Sequence, residues 1–131
     1  MKQELVSEQF MLSFETTDSI RDADFDTYMT VSVQSKGFSA VVDYVINLED
    51  ISWFANKLCD IYERLVGDAT LEAADGDNLS ITFEAKSCGH IQISGYLIDS
   101  VSGQELDFYS ELDQSYLRTF CYELKEAYGK Y

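Results

Sequence analysis

One histidine, three cysteines and two acidic clusters are the residues whose types could do chemistry. A hydrolytic or transfer site would need His90 beside an activated serine or cysteine. Gly89 precedes it, an apolar strand start follows it, and no Gly-x-Ser-x-Gly or Gln-Ala-Cys motif accompanies it. His90 therefore reads as a strand-edge histidine bonded to a nearby backbone group. Cys59, Cys88 and Cys121 are odd in number and widely spaced, with no Cys-x-x-Cys pair. They suggest neither a disulfide framework nor a zinc site, and reduced thiols point to a cytoplasmic setting. No Gly-rich phosphate loop and no His-Glu-x-x-His motif is present, so no cofactor is expected.

Of the acidic clusters, the stretch Asp18 to Asp26 carries four carboxylates and is the better candidate for Ca²⁺ or Mg²⁺. An EF-hand counted from Asp18 would require glycine at the sixth position and glutamate at the twelfth. Ala23 and Met29 stand there, so the match fails. Asp75, Asp77 and Asn78 fall on a hairpin turn, where such residues serve local hydrogen bonding. A solvated loop is the expectation at both places, with a small-ligand or divalent-metal module as the alternative class.

The charge balance excludes more. The 131 residues hold 24 Asp plus Glu against 9 Lys plus Arg, a net charge of −15. Phosphate needs a basic footprint, so direct nucleic-acid binding is excluded, and docking on an anionic membrane is disfavoured. A basic protein partner, a cationic ligand or simple solubility remains open. Hydrophobic residues make up 46%, which is globular composition, and the length suits one domain over 1–131. The first ten residues, MKQELVSEQF, are broken by Glu4 and Glu8 and read as neither a signal peptide nor a membrane span.

The elements that must position these residues follow from periodicity. Phe10, Leu12 and Phe14 alternate with Met11, Ser13 and Glu15, a strand. A second strand runs over Tyr28 to Gln34, Lys36-Gly37 makes a turn, and Phe38 to Ile46 is apolar on nearly both faces. That pattern predicts a strand inside the sheet. Asn47 is a plausible N-cap for a helix that ends before Gly67, with Ile51, Phe54, Ala55, Leu58, Tyr62 and Leu65 as its apolar stripe. Strands are then expected over Thr70–Ala74, Leu79–Ala85, Ile91–Ile98 and Gln104–Leu112. Asp113 should cap a final helix that buries Leu117, Phe120, Cys121, Leu124 and Tyr128. The order βββ-α-ββββ-α predicts an α+β protein: a single antiparallel sheet of about six to seven strands, with both helices on one face.

Position sharpens the meaning of the charge. Between Asp68 and Asp113 ten residues are acidic and only Lys86 is a basic Lys or Arg, whereas the final helix is close to neutral. If Leu106, Phe108 and Leu112 face the core, period two turns Glu105, Asp107, Tyr109 and Glu111 the other way. Gln92, Ser94 and Tyr96 then share that side with Ser80, Thr82 and Glu84. Tyrosine gives large contact area at little rotamer cost, and carboxylates steer a basic partner. Glu84, Tyr96, Glu105, Asp107, Tyr109 and Glu111 are the candidate contacts. A solvated sheet face with cross-strand tyrosine contacts is the plainer alternative.

Several segments resemble the bacterial WapI-type immunity proteins. They are Asp22-Ala-Asp-Phe-Asp, Val31-Ser-Val, Gly37-Phe38-Ser39 and Leu48-Glu-Asp-Ile-Ser-Trp-Phe, then Gly67-Asp-Ala-Thr-Leu-Glu72 and Gly89-His90-Ile91. The last, Glu111-Leu-Asp-Gln-Ser-Tyr-Leu117, is close to the family's ELDQTYL. The family usually has an Asn-Trp pair where this chain has Asp24-Phe25. The resemblance implies a small cytosolic protein that binds and neutralises the toxic C-terminal domain of a polymorphic or contact-dependent toxin, commonly a nuclease. It brings no catalytic residues and no fixed contact residues. The resulting expectation is a non-enzymatic immunity protein whose partner is a cognate toxin domain.

Overall fold

The computed structural model describes residues 1–16 and 25–131. Alternation does build the strands. Phe10, Leu12 and Phe14 are buried along β2 (Phe10–Glu15), and Met29, Val31 and Val33 along β3 (Asp26–Ser35). The N-terminal segment, read only for targeting signals, is itself a strand, β1 (Lys2–Val6), with Gln3 and Leu5 turned inward. Its Met1 ammonium donates to the Thr16 carbonyl at 3.0 Å, tying the start of β1 to the end of β2. Only two of its five side chains are buried, too short a run for a period-two signal.

β4 (Phe38–Asn47) completes an antiparallel sheet of order β1-β2-β3-β4. It lies at an edge, contrary to the expectation of an interior strand. Only Tyr44 and Ile46, in its C-terminal half, are fully buried.

The helix α1 (Leu48–Arg64) begins as its residues dictate. The Asn47 side chain accepts hydrogen bonds from the backbone N–H groups of Glu49 (2.9 Å) and Asp50 (3.2 Å). Those two acids also lie at the positive end of the helix dipole. Leu65, before Gly67 is reached, takes the left-handed conformation and ends the helix (φ 59°).

The remaining strands form a second antiparallel sheet, not an extension of the first. β5 (Asp68–Glu72), β6 (Leu79–Ala85), β7 (His90–Asp99) and β8 (Gln104–Asp113) pair in that order. The single sheet expected from short turns is thus two four-stranded sheets, eight strands among the described residues, because α1 interrupts pairing between β4 and β5. β5 starts two residues earlier than its expected position. Asp113 caps a single 3₁₀ turn, Gln114–Tyr116, by accepting from the Ser115 N–H at 2.9 Å. The helix proper, α2 (Arg118–Tyr128), begins after it and has no side-chain cap.

The chain therefore runs through ββββα twice, Lys2–Arg64 and then Asp68–Tyr128. The helices pack on each other, α1 also against β5 and α2 also against β1, so they do not line one face of one sheet. Matching elements of the two halves meet at the centre. Phe14 of β2 and Phe83 of β6 both touch Phe120 of α2, with ring centroids at 5.7 and 6.2 Å. Phe54 of α1 lies 6.5 Å from Phe14 and 5.8 Å from Phe83. All four are fully buried, and such aromatic contacts add about 1 kcal/mol each beyond area burial.

Candidate protein-binding face

With its inner face on this core, the second sheet turns the alternate side chains outward. Register places them in rows across the strands. Asp68, Glu84, Gln92 and Glu111 form one row; Thr70, Thr82, Ser94 and Tyr109 the next; Glu72, Ser80, Tyr96 and Asp107 the third. Glu105 follows opposite Ile98. The six residues singled out from alternation thus stand on one face, and none of them is buried. Tyr109 is 57% exposed, which leaves most of its ring available for contact.

Gly95 interrupts the neighbouring core-facing rows between Ile81 and Phe108. A Cβ at that position would collide with the Ser80 carbonyl oxygen, so glycine alone allows β6 and β7 to approach this closely.

The charges on the face are not uniform. At one end the Lys86 ammonium lies 2.7 Å from a Glu84 carboxylate oxygen, which raises the lysine pKa, with the negative charge of Glu111 adding to the effect. His90 Nδ1 lies 3.4 Å from Glu111, so this histidine faces a carboxylate and not the backbone partner expected for it. Tyr109 OH donates to the other Glu111 oxygen at 3.4 Å. Toward the other end, Glu72, Asp107 and Glu105 have no ion-pair partner among the described residues. Exposed pairs of the first kind contribute little to stability, so this end of the sheet is organised without being rigidly tied.

Lys86, His90, Asp68 and Glu72 belong to the same face and were not among the candidates. Asp68, Thr70 and Glu72 alternate with Ala69 and Leu71, and a strand expected from Thr70 onward leaves Asp68 outside that alternation.

The Asp75 turn and the buried cysteines resolve into local roles. The Asp75 carboxylate accepts from the Asp77 N–H (3.2 Å) and the Asn78 side-chain amide (2.8 Å), which is turn chemistry. The stretch Asp18 to Asp26 lies, except for Phe25 and Asp26, outside the described residues. Among the described residues no group of three or more His, Cys, Asp or Glu could hold a metal ion. Cys59 and Cys121 are buried, and Cys59 Sγ donates to the Cys121 carbonyl at 3.3 Å. Burial pushes both thiols up, Cys121 to about 12, so neither is an activated nucleophile.

Fold and surface together define a small α+β protein with an acidic, tyrosine-bearing sheet face. Its architecture is similar to that of the solved Trypanosoma bruciei MRP1/MRP2 structure, with a TM-score of 0.54 at 10% identity. That match covers 97% of this chain and 81% of the other. At that identity the likeness is one of fold alone. No curated protein matches the sequence. Residues 7–131 match the immunity protein WapI-like family, and the chain belongs to it. Membership implies a toxin-neutralising immunity role, and the family is generally non-enzymatic.

Proposed function

We propose that the chain neutralises a cognate toxin domain by covering a basic groove on it with the outer face of the second sheet. The observation that carries this reading is the row register that gathers Glu84, Tyr96, Glu105, Asp107, Tyr109 and Glu111 on one solvent-facing surface. A nuclease holds phosphate with lysine and arginine, and carboxylates spaced along a sheet compete for the same cations. The tyrosines add desolvated contact area, and the net charge of −15 speeds encounter. The toxin is then a basic nuclease, and the protein acts in the cytoplasm, where free thiols persist.

The test is replacement of Glu105, Asp107 and Glu111 by serine, followed by association kinetics with the toxin domain encoded beside the gene. Association at low salt should slow by about tenfold or more, and its dependence on ionic strength should flatten. An unchanged rate and an unchanged salt slope would place the toxin on another surface.

A further inference from the structure

The first sheet ends on an edge that is half closed. Val45 O, in the C-terminal part of β4, accepts from the Ala74 N–H at 2.8 Å, so this carbonyl points away from β3. Backbone groups of alternate residues in an antiparallel strand point the same way, and the pairing of β4 with β3 is continuous. Ser39, Val41 and Asp43 therefore also direct their N–H and C=O groups out of the sheet. Among the described residues none of them makes a backbone hydrogen bond outside the β3 pairing.

Open edges are ordinarily covered or broken by charge, because they template pairing with another chain. Here the open half carries one exposed charge, Asp43, beside Phe38 at 71% and Val41 at 69% exposure. It borders a groove of about 400 Å³ whose opposite wall includes Asp99 and Glu105, a size within the usual range of binding clefts.

We propose that this half of β4 takes up an extended segment of the partner protein as an added strand, one bearing apolar and basic side chains on alternate positions. The segment's main chain would satisfy the outward groups of Ser39, Val41 and Asp43. Its apolar side chains lie beside Phe38, and its basic ones reach the carboxylates of Asp43, Asp99 and Glu105. A second copy of this chain fits poorly, since pairing two such edges would bring those carboxylates together on molecules of charge −15. Glu105 belongs both to the groove wall and to the acidic face, so one partner could span the two. The inference rests on the immunity reading for the partner's being a protein.

The test uses the ¹⁵N-labelled full chain and an end-capped peptide of four Val-Lys repeats. Saturable amide shifts are expected at Ser39, Val41 and Asp43. They should be absent with a Val-Glu peptide and with a Val-Lys peptide N-methylated at every second residue. Val41→Pro removes an outward N–H without touching the β3 pairing and should abolish binding. Should that variant fail to fold, the pair D43K/E105K carries the test, with binding at least tenfold weaker. Equal binding by a folded Val41→Pro or by the charge-reversed pair overturns the proposal. So do shifts confined to Asp107, Tyr109 and Glu111, or a dimer formed through β4 without peptide. The assay contains no toxin, so its failure leaves the acidic-face reading standing; a serine variant limited to Asp107 and Glu111, which spares the groove wall, tests that face alone, and its failure leaves this edge standing.

Discussion

Gly95 shows how much one backbone position decides. A side chain there meets the Ser80 carbonyl across the strand pair, and β6 and β7 contribute to all three rows of the acidic face. Gly95→Ala should destabilise the fold by about 3 kcal/mol, as forced overpacking does. Chemical denaturation would measure it, and a loss below about 0.5 kcal/mol would mean that the strands separate at little cost. Tyr122 is a second residue with a definite signature. Its hydroxyl donates to a Glu63 carboxylate at 2.7 Å, and that bond, with desolvation behind it, lifts the phenol to about 12. The neutral form is favoured in the folded state, so this contribution is complete below the ordinary phenol range and is lost as pH rises through about 12. A spectrophotometric tyrosine titration should find one fewer late-titrating group in Glu63→Gln.

At the scale of elements, the seam between the sheets hangs on Tyr44. Its buried hydroxyl sits 2.9 Å from the carbonyls of both Asn78 and Ile98 and accepts from the Ile98 N–H at 3.0 Å. One proton serves one carbonyl at a time, and desolvation pushes the phenol up to about 12. Tyr44→Phe removes a donor from these carbonyls while the Ile98 N–H keeps its 2.8 Å bond to the Asn78 carbonyl, and should cost about 1 kcal/mol. Amide exchange at Ile98 should accelerate in step, and slow exchange there would show that the seam closes by other contacts. The helices were legible because caps and stripes are local. Asn47 marks a start, and the spacing of Phe120, Cys121, Leu124 and Tyr128 marks a buried face. Sheet membership was not legible, because β4 and β5 look alike whether or not they pair, and the buried Tyr44 hydroxyl bond that joins the two sheets spans 54 positions.

For the whole molecule, self-repulsion of fifteen net negative charges opposes compaction. Raising NaCl from about 10 mM to about 150 mM shortens the screening length from about 30 Å to about 8 Å. The melting temperature should rise by about 4 °C, the shift that roughly 1 kcal/mol produces at this size. A melting temperature that falls with salt would mean that the ion pairs of Lys86 and Lys2 outweigh the repulsion.

The sequence by itself determined the alternation that turns Glu105, Asp107, Tyr109 and Glu111 away from the core, since the side-chain period of a strand depends on nothing beyond it. It determined the acidic bias after Asp68, and the resemblance that the family match over residues 7–131 established. Tertiary structure alone decided that the strands divide into two sheets, that β4 ends one of them with an open edge, and that Glu84 stands in one row with Glu111. Those outcomes depend on which strands pair. Pairing is settled by closing loops around a shared core of Phe14, Phe54, Phe83 and Phe120, a global condition that no local spacing encodes.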